Sequence, residues 1–187
     1  MKNTFVSILA FAMLLAACDN TVDPNAFRSD LLEQIKAADA ALSDTSQQSA
    51  APNHAKAENA LALYEQFADS FPQDSLSPLF LFRGAQLAIA ISRFQKAIKV
   101  LERICNAYPK NAKTPDAVFL IAFVYDEHIK YKAKAKEWYE KLIRNYPDHT
   151  FAKDAKAAIA TLNMSDEEII QMLKDKNSAQ DSLTVAQ

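Results

Sequence analysis

The chain holds a single glycine, Gly84, among 187 residues. Glycine supplies the positive φ angles of tight hairpins and the close backbone approach of phosphate-cradling loops. Its scarcity excludes dinucleotide-binding and P-loop fingerprints, which need several glycines each. It also excludes the Gly-x-Ser-x-Gly elbow of serine hydrolases. Cysteine is nearly as rare, with Cys18 and Cys105 alone. An excess of cations is missing as well: 21 Lys and Arg stand against 23 Asp and Glu, so no strong basic field invites nucleic acid. The three histidines, His54, His128 and His149, do not pair with one another or with cysteine at zinc-ligand spacing. No metal and no cofactor are expected.

Half of the residues are hydrophobic, enough to bury a core and too many for a chain disordered throughout. With glycine nearly absent and Ala, Leu, Lys, Glu and Gln abundant, the expectation is an all-α fold.

The N-terminus carries its own signal. Lys2 gives a positive start, Thr4 to Ala17 is almost unbroken apolar sequence, and small residues lead into Cys18. This is the pattern of a secretory signal peptide. The run is about fourteen residues, short of the ~20 that a spanning helix needs. Its last four residues, Leu15-Ala16-Ala17-Cys18, resemble the lipobox of bacterial lipoproteins. That resemblance implies cleavage of residues 1–17, acylation of Cys18 and a short lipidated tether over 18–23. A plain signal peptide and an uncleaved anchor helix are the alternatives. Two or more acyl chains hold a protein durably at a membrane without crossing it. Asp19 resembles an inner-membrane retention signal in bacteria that sort by this position. Other lineages do not follow that rule, so inner and outer membrane both stay open.

Three aromatic-proline pairs punctuate the rest: Phe71-Pro72, Tyr108-Pro109 and Tyr146-Pro147, with the prolines 37 and 38 residues apart. Twelve residues before each proline stand Ala60, Ala97 and Ala135, and eight before stand Tyr64, Leu101 and Tyr139. A small residue followed one turn later by a large one lets two helices approach closely, and the proline then ends the helix. Ser77-Pro78, Thr114-Pro115 and Asp23-Pro24 read as capping side chains before a proline at the first helical position. Breaks are expected at Ser92-Arg93 and near Lys130, and the polar stretch Ser43 to Asn53 reads as a flexible loop. Ser165 and Glu168 form a capping box for a short terminal helix. Cys105 shares a helical face with Leu101, Ile104 and Tyr108, which reads as a core position. A reactive thiol is the alternative, with no electropositive neighbour evident to support it.

These features resemble the tetratricopeptide repeat, a helix pair with small residues at its eighth and twentieth positions and proline near its thirty-second. Ala85, Ala97 and Pro109 fit those places in the unit 78–111. The unit from Pro115 fits with Ala122 at eight and Tyr125 at eleven if one residue is inserted near Tyr131. The resemblance implies a right-handed α-solenoid of about three helix pairs over residues 24–162. The units are about 24–72, 78–111 and 115–149, followed by a capping helix 150–162. A terminal helix 165–176 and a disordered tail 177–187 complete the chain. With the lipobox in front, the chain resembles small repeat lipoproteins of the BamD and CpoB types.

On the repeat's pattern the groove positions are Leu79, Phe82, Gln86 and Ile89, then Asp116, Phe119, Phe123 and Asp126. Aromatic side chains there suit an apolar or aromatic anchor from a protein or peptide partner. The alternative is that Phe82, Phe119 and Phe123 are core, and Trp138 carries the same ambiguity. Lys130, Lys132, Lys134, Lys136, Lys141 and Arg144 make a basic corner, read either as a surface balanced by neighbouring carboxylates or as a contact for anionic lipid or an acidic partner. The expected function is a non-catalytic, lipid-anchored adaptor of the bacterial cell envelope, facing the periplasm. An accessory role in outer-membrane protein assembly is the alternative. A thiol- or metal-dependent hydrolase is the alternative from another class.

Overall fold

The computed structural model describes residues 23–43, 53–165, 167–168 and 170–175. Residues 1–17, Cys18, Asp19, the polar stretch 44–52 and the tail 177–187 lie outside the described residues. Every regular element among the described residues is helical: α1 Pro24–Ser43, α2 His54–Ser70, α3 Ser77–Ala90, α4 Phe94–Ala107, α5 Lys113–Phe123, α6 Lys132–Asn145 and α7 Thr150–Thr161. A π-helical turn, Val124–His128, continues α5. Residues 167–168 and 170–175 are helical again. Consecutive helices pack on one another, and α3, α5 and α7 also touch side by side. The fold is a tetratricopeptide-type helical solenoid, with α1, α3 and α5 as first helices of three pairs and α2, α4 and α6 as second helices. No helix among the described residues is long and apolar enough to cross a membrane.

Local chemistry sets the helix starts. Asp23 Oδ1 accepts from Asn25 N at 2.9 Å at the head of α1, and Asn53 Oδ1 accepts from Lys56 N at 3.2 Å at the head of α2. Each satisfies an amide with no partner inside its helix. Ser165 and Glu168 exchange two bonds, Ser165 N to Glu168 Oε2 at 2.7 Å and Glu168 N to Ser165 Oγ at 3.2 Å.

One turn links each pair to the next helix, and it recurs three times. The aromatic N–H closes the helix before it, Phe71 on Phe67 O, Tyr108 on Ile104 O and Tyr146 on Leu142 O. Three residues on, the N–H of Asp74, Asn111 or His149 returns to the aromatic carbonyl. The side chains of these three residues accept from Leu76 N at 2.9 Å, Lys113 N at 2.8 Å and Phe151 N at 3.4 Å. Ser77 and Thr114 are not the capping residues that their position before proline predicts. Both lie inside the helix, almost fully buried, and donate backwards to Phe71 O and Tyr108 O at 2.6 Å. The hydroxyl thus pins a new helix to the end of the previous one. The third turn has Ala152 at the same place, with no hydroxyl.

The longer second spacing has a different origin from an insertion near Tyr131. Ser92 and Lys130 are equivalent, with φ of 60° and 58°. They lie 38 residues apart, whereas Ala85 and Ala122 lie 37 apart, so the extra residue precedes Lys130. The π turn absorbs it. Ile129 N donates to Val124 O, five residues back, at 3.0 Å. The closing bond after α3 runs from Arg93 N to Ala88 O, while its counterpart runs from Tyr131 N to Tyr125 O, one residue longer. Inside a helix an added residue is absorbed as a single π turn without loss of the hydrogen-bond ladder. Ser92 and Lys130 also take the left-handed conformation that glycine adopts at least cost.

Three large apolar clusters run along the solenoid, and Leu61, Ala88 and Ala97 form a small fourth. Leu31, Ile35, Tyr64, Phe67 and Phe80 form the first, Leu81, Ile98, Leu101, Ile104 and Ile121 lie in the second, and Val118, Tyr139, Leu142 and Leu162 in the third. Ala60, Ala97 and Ala135 are fully buried, as close helix approach requires. Gly84 serves packing rather than a turn: a Cβ there would sit 2.9 Å from Leu61 Cδ1. Cys105 and Trp138 are half-buried between the second and third clusters.

Candidate functional site

The eight groove candidates fall on two parallel faces, because spacings of three, four and three residues return to one side of a helix. Leu79, Phe82, Gln86 and Ile89 lie on α3. Asp116, Phe119 and Phe123 lie on α5, and Asp126 lies in the π turn. None of the eight is fully buried. Leu79 and Gln86 are exposed, and the other six are half-buried.

Their contacts divide them into groups. Phe82 and Phe119 hold equivalent places, and each is covered by the residue just before the linker's buried hydroxyl position. Lys113 Nζ lies 5.2 Å from the Phe82 ring centre, and the Phe151 ring stacks on Phe119 at 4.5 Å with planes 14° apart. These two rings clasp successive repeats together as well as bordering the face. Phe123 meets His128 edge to face at 5.7 Å, and His128 in turn stacks on Phe94 at 4.4 Å. His128 is thus an exposed imidazole lying on an aromatic ring.

Asp116 is the best-partnered acid on this face. Lys113 Nζ reaches its Oδ2 at 2.9 Å, and His149 Nε2 is 3.4 Å from its Oδ1. His149 Nδ1 meanwhile accepts from Phe151 N, so one imidazole ties the start of α7 to α5. Asp126 is placed differently. Tyr139 Oη is 3.5 Å from its Oδ2, and burial together with Glu127 pushes its carboxyl above the usual range. Tyr139 itself is raised, by burial first and then by the Asp126 charge. Lys130 and Lys132 pull the Asp126 carboxyl back only in part.

Several of the remaining chemical candidates have partners within the fold. Burial pushes the Cys105 thiol up to about 11, which keeps it protonated and unreactive at neutral pH. In the basic corner Lys130 reaches Glu127 at 3.1 Å, Lys134 reaches Glu137 at 2.7 Å and Lys136 reaches Glu140 at 3.8 Å. Lys141 Nζ lies 4.0 Å from the Trp138 ring centre, which places that indole under a lysine at the edge of the core. Among the described residues no three His, Cys, Asp or Glu side chains converge as metal ligands. A shallow open cavity of about 410 Å³ lies between Ser92, Phe94, Lys96 and Ile129, and none of the groove candidates lines it.

The geometry thus offers a face for contact. Residues 80–111 and 116–149 match the tetratricopeptide repeat. These stretches cover the α3–α4 and α5–α6 pairs, and so both rows of groove candidates except Leu79. The repeat is in general a non-catalytic module that binds other proteins. No curated protein matches the chain.

Sequence reasoning named these positions from the repeat's pattern. It missed the side chains that cover Phe82 and Phe119, because Lys113 and Phe151, in the first turns of α5 and α7, are not among the positions that the repeat's pattern names. It also missed the likeness of Tyr64 and Tyr139 in pairing with an acid. Their shared place eight residues before proline was the available signal.

Proposed function

We propose that this protein is a lipid-anchored adaptor of the bacterial cell envelope. On this reading Cys18 carries the lipid and the face built by α3 and α5 grips a protein partner. The observation that carries the adaptor reading is the row of eight solvent-touching side chains along two matched repeats. Apolar rings beside carboxylates suit one partner segment with an apolar anchor and a polar flank. The Leu15-Ala16-Ala17-Cys18 sequence supports the anchor. An accessory role in outer-membrane protein assembly is the narrower form of the same reading.

Crosslinking in living bacterial cells, followed by identification of co-purified proteins, tests the adaptor. One dominant partner whose capture falls in Leu79→Asp and Gln86→Arg supports it. Capture unchanged in both contradicts the groove. Outer-membrane assembly factors among the captured proteins would select the narrower form. For the anchor, Cys18→Ala should move the protein from membrane to soluble fractions, and unchanged fractionation contradicts it.

A further inference from the structure

We infer that the cleft between the second and third repeats binds an acidic segment of a protein partner, one aromatic side chain flanked by carboxylates. The inference deepens the adaptor reading and rests on it for the source of that segment.

The cleft has room for such a side chain. It holds about 410 Å³ where the first turn of α4 meets the end of the π turn, and it is open to solvent. That volume lies within the ~300–1,000 Å³ of clefts that take ligands.

Two matching junctions differ at this place. Ala57 and Phe94 are equivalent, each three residues before a repeat alanine, Ala60 or Ala97. Ile91 and Ile129 are equivalent, each just before a residue of positive φ. Between the first two repeats Ala57 and Ile91 are almost fully buried, and the junction is closed. Between the second and third, Phe94 and Ile129 are only half-buried, and both line the cleft. The π turn, with its extra residue, belongs to the open junction alone. Such turns recur at functional sites. His128 of that turn stacks on Phe94 at 4.4 Å with planes 12° apart, which fixes the ring as a wall.

The lining sets the sign of the ligand. Arg93 and Lys96 border the cleft, and no acid does. Their partners, Glu58 and Glu65, stand on α2. Glu58 takes only Nε of Arg93, at 2.9 Å, and the two terminal nitrogens of that guanidinium have no partner among the described residues. The Arg93 side chain is 62% exposed, so the pair is screened by water and contributes little. A carboxylate at the rim therefore meets an accessible guanidinium edge that can bind it with two parallel bonds. Below the charges, the Phe94 ring, Ile129 and the stems of Arg93 and Lys96 make an apolar floor. An aromatic side chain fills the floor while its acidic neighbours meet the rim.

The test uses the full-length protein and three probe peptides, acetyl-Glu-Phe-Glu-amide, acetyl-Gln-Phe-Gln-amide and acetyl-Glu-Ala-Glu-amide. Binding is read from the labelled methyl groups of Ile129 by NMR. The first peptide should shift them saturably. The glutamine twin loses the charge and should bind at least about threefold more weakly, and the alanine twin loses the ring and should bind at least about fivefold more weakly. The double variant Arg93→Gln, Lys96→Gln changes two exposed side chains. It should abolish the preference for Glu over Gln and keep the preference for Phe over Ala. No saturation at Ile129, equal binding of the first peptide and either twin, or a charge preference untouched by the double variant overturns the cleft. So does a shift of Ile129 with phosphatidylglycerol vesicles and none with the first peptide, which would assign the cleft to a lipid surface. In cells, a photo-crosslinking residue at Gln95 on the rim should capture a discrete protein, and the double variant should lose it. Capture from Gln86 and none from Gln95 overturns the cleft and leaves the adaptor standing. Saturable peptide binding with no protein captured from either position overturns the adaptor and leaves the chemistry of the cleft standing.

Discussion

Replacing Thr114 by valine removes one hydroxyl and keeps the side chain's shape. Thr114 is 2% exposed, and its Oγ1 donates to Tyr108 O at 2.6 Å. The lost bond is worth about 0.5–1.5 kcal/mol net. A methyl group cannot remain that close to an oxygen, so the turn must open slightly as well. Tyr108 O keeps its second donor, Asn111 N at 2.9 Å, so the carbonyl is not left orphaned. The expected loss is therefore about 1–2 kcal/mol, a fall in melting temperature of roughly 2–8 °C for a chain of this size. The converse change is Ala152→Ser in the third turn. A serine there can donate to Tyr146 O, as Ser77 does to Phe71 O, and should raise stability by about 0.5–1 kcal/mol. Far-UV circular dichroism during heating and refolding reads both. A valine variant within about 0.3 kcal/mol of the natural protein, below any typical net hydrogen bond, refutes the view that these hydroxyls join the repeats.

Gly84→Ala gains helix propensity and forces a Cβ to 2.9 Å from the buried Leu61, so overpacking should win by about 1 kcal/mol in denaturant unfolding. Ser92→Gly and Lys130→Gly relieve positive φ angles and should each be neutral to stabilising by up to about 1 kcal/mol, whereas proline at either site should unfold the turn. The Arg28 hydrogen bond, 2.7 Å long, holds the Asp74 carboxyl below its ordinary range. Its contribution is complete above the unfolded value of about 3.9 and fades as pH falls through the lower folded value. Asp126 has the opposite sign, because its raised folded value makes the ionised form costly and stability recovers as pH falls through that value. At pH 7 Asp126→Asn should therefore raise the melting temperature and Asp74→Asn should lower it. Both differences should shrink toward strongly acidic pH. Two shifts of the same sign at neutral pH would contradict these assignments.

The all-helical solenoid was legible because its determinants are local. One glycine, three aromatic-proline stops and alanines twelve residues before them leave few other folds for the chain. The breaks at Ser92 and Lys130 were legible for the same reason. The role of Ser77 and Thr114 was not, since a hydroxyl before proline looks the same whether it caps the next helix or grips the last one. Only the burial of both side chains decides it. The π turn was hidden because a spacing of 38 against 37 locates an insertion only to a segment. At the site, helical spacing named the face along α3 and α5. It carried no information on how Lys113 and Phe151 cover Phe82 and Phe119, since those contacts join residues about thirty apart with a whole helix between them. The Asp39–Tyr64–Arg83 set, in which the Tyr64 hydroxyl and the Arg83 guanidinium share one carboxylate, likewise draws on three helices.

A photo-crosslinking residue placed in living cells at Gln86, and separately at Lys99 on the exposed side of α4, tests the adaptor account most directly. The account predicts one discrete crosslinked partner from Gln86 and none from Lys99. A partner captured equally from both positions, or from Lys99 alone, would contradict it.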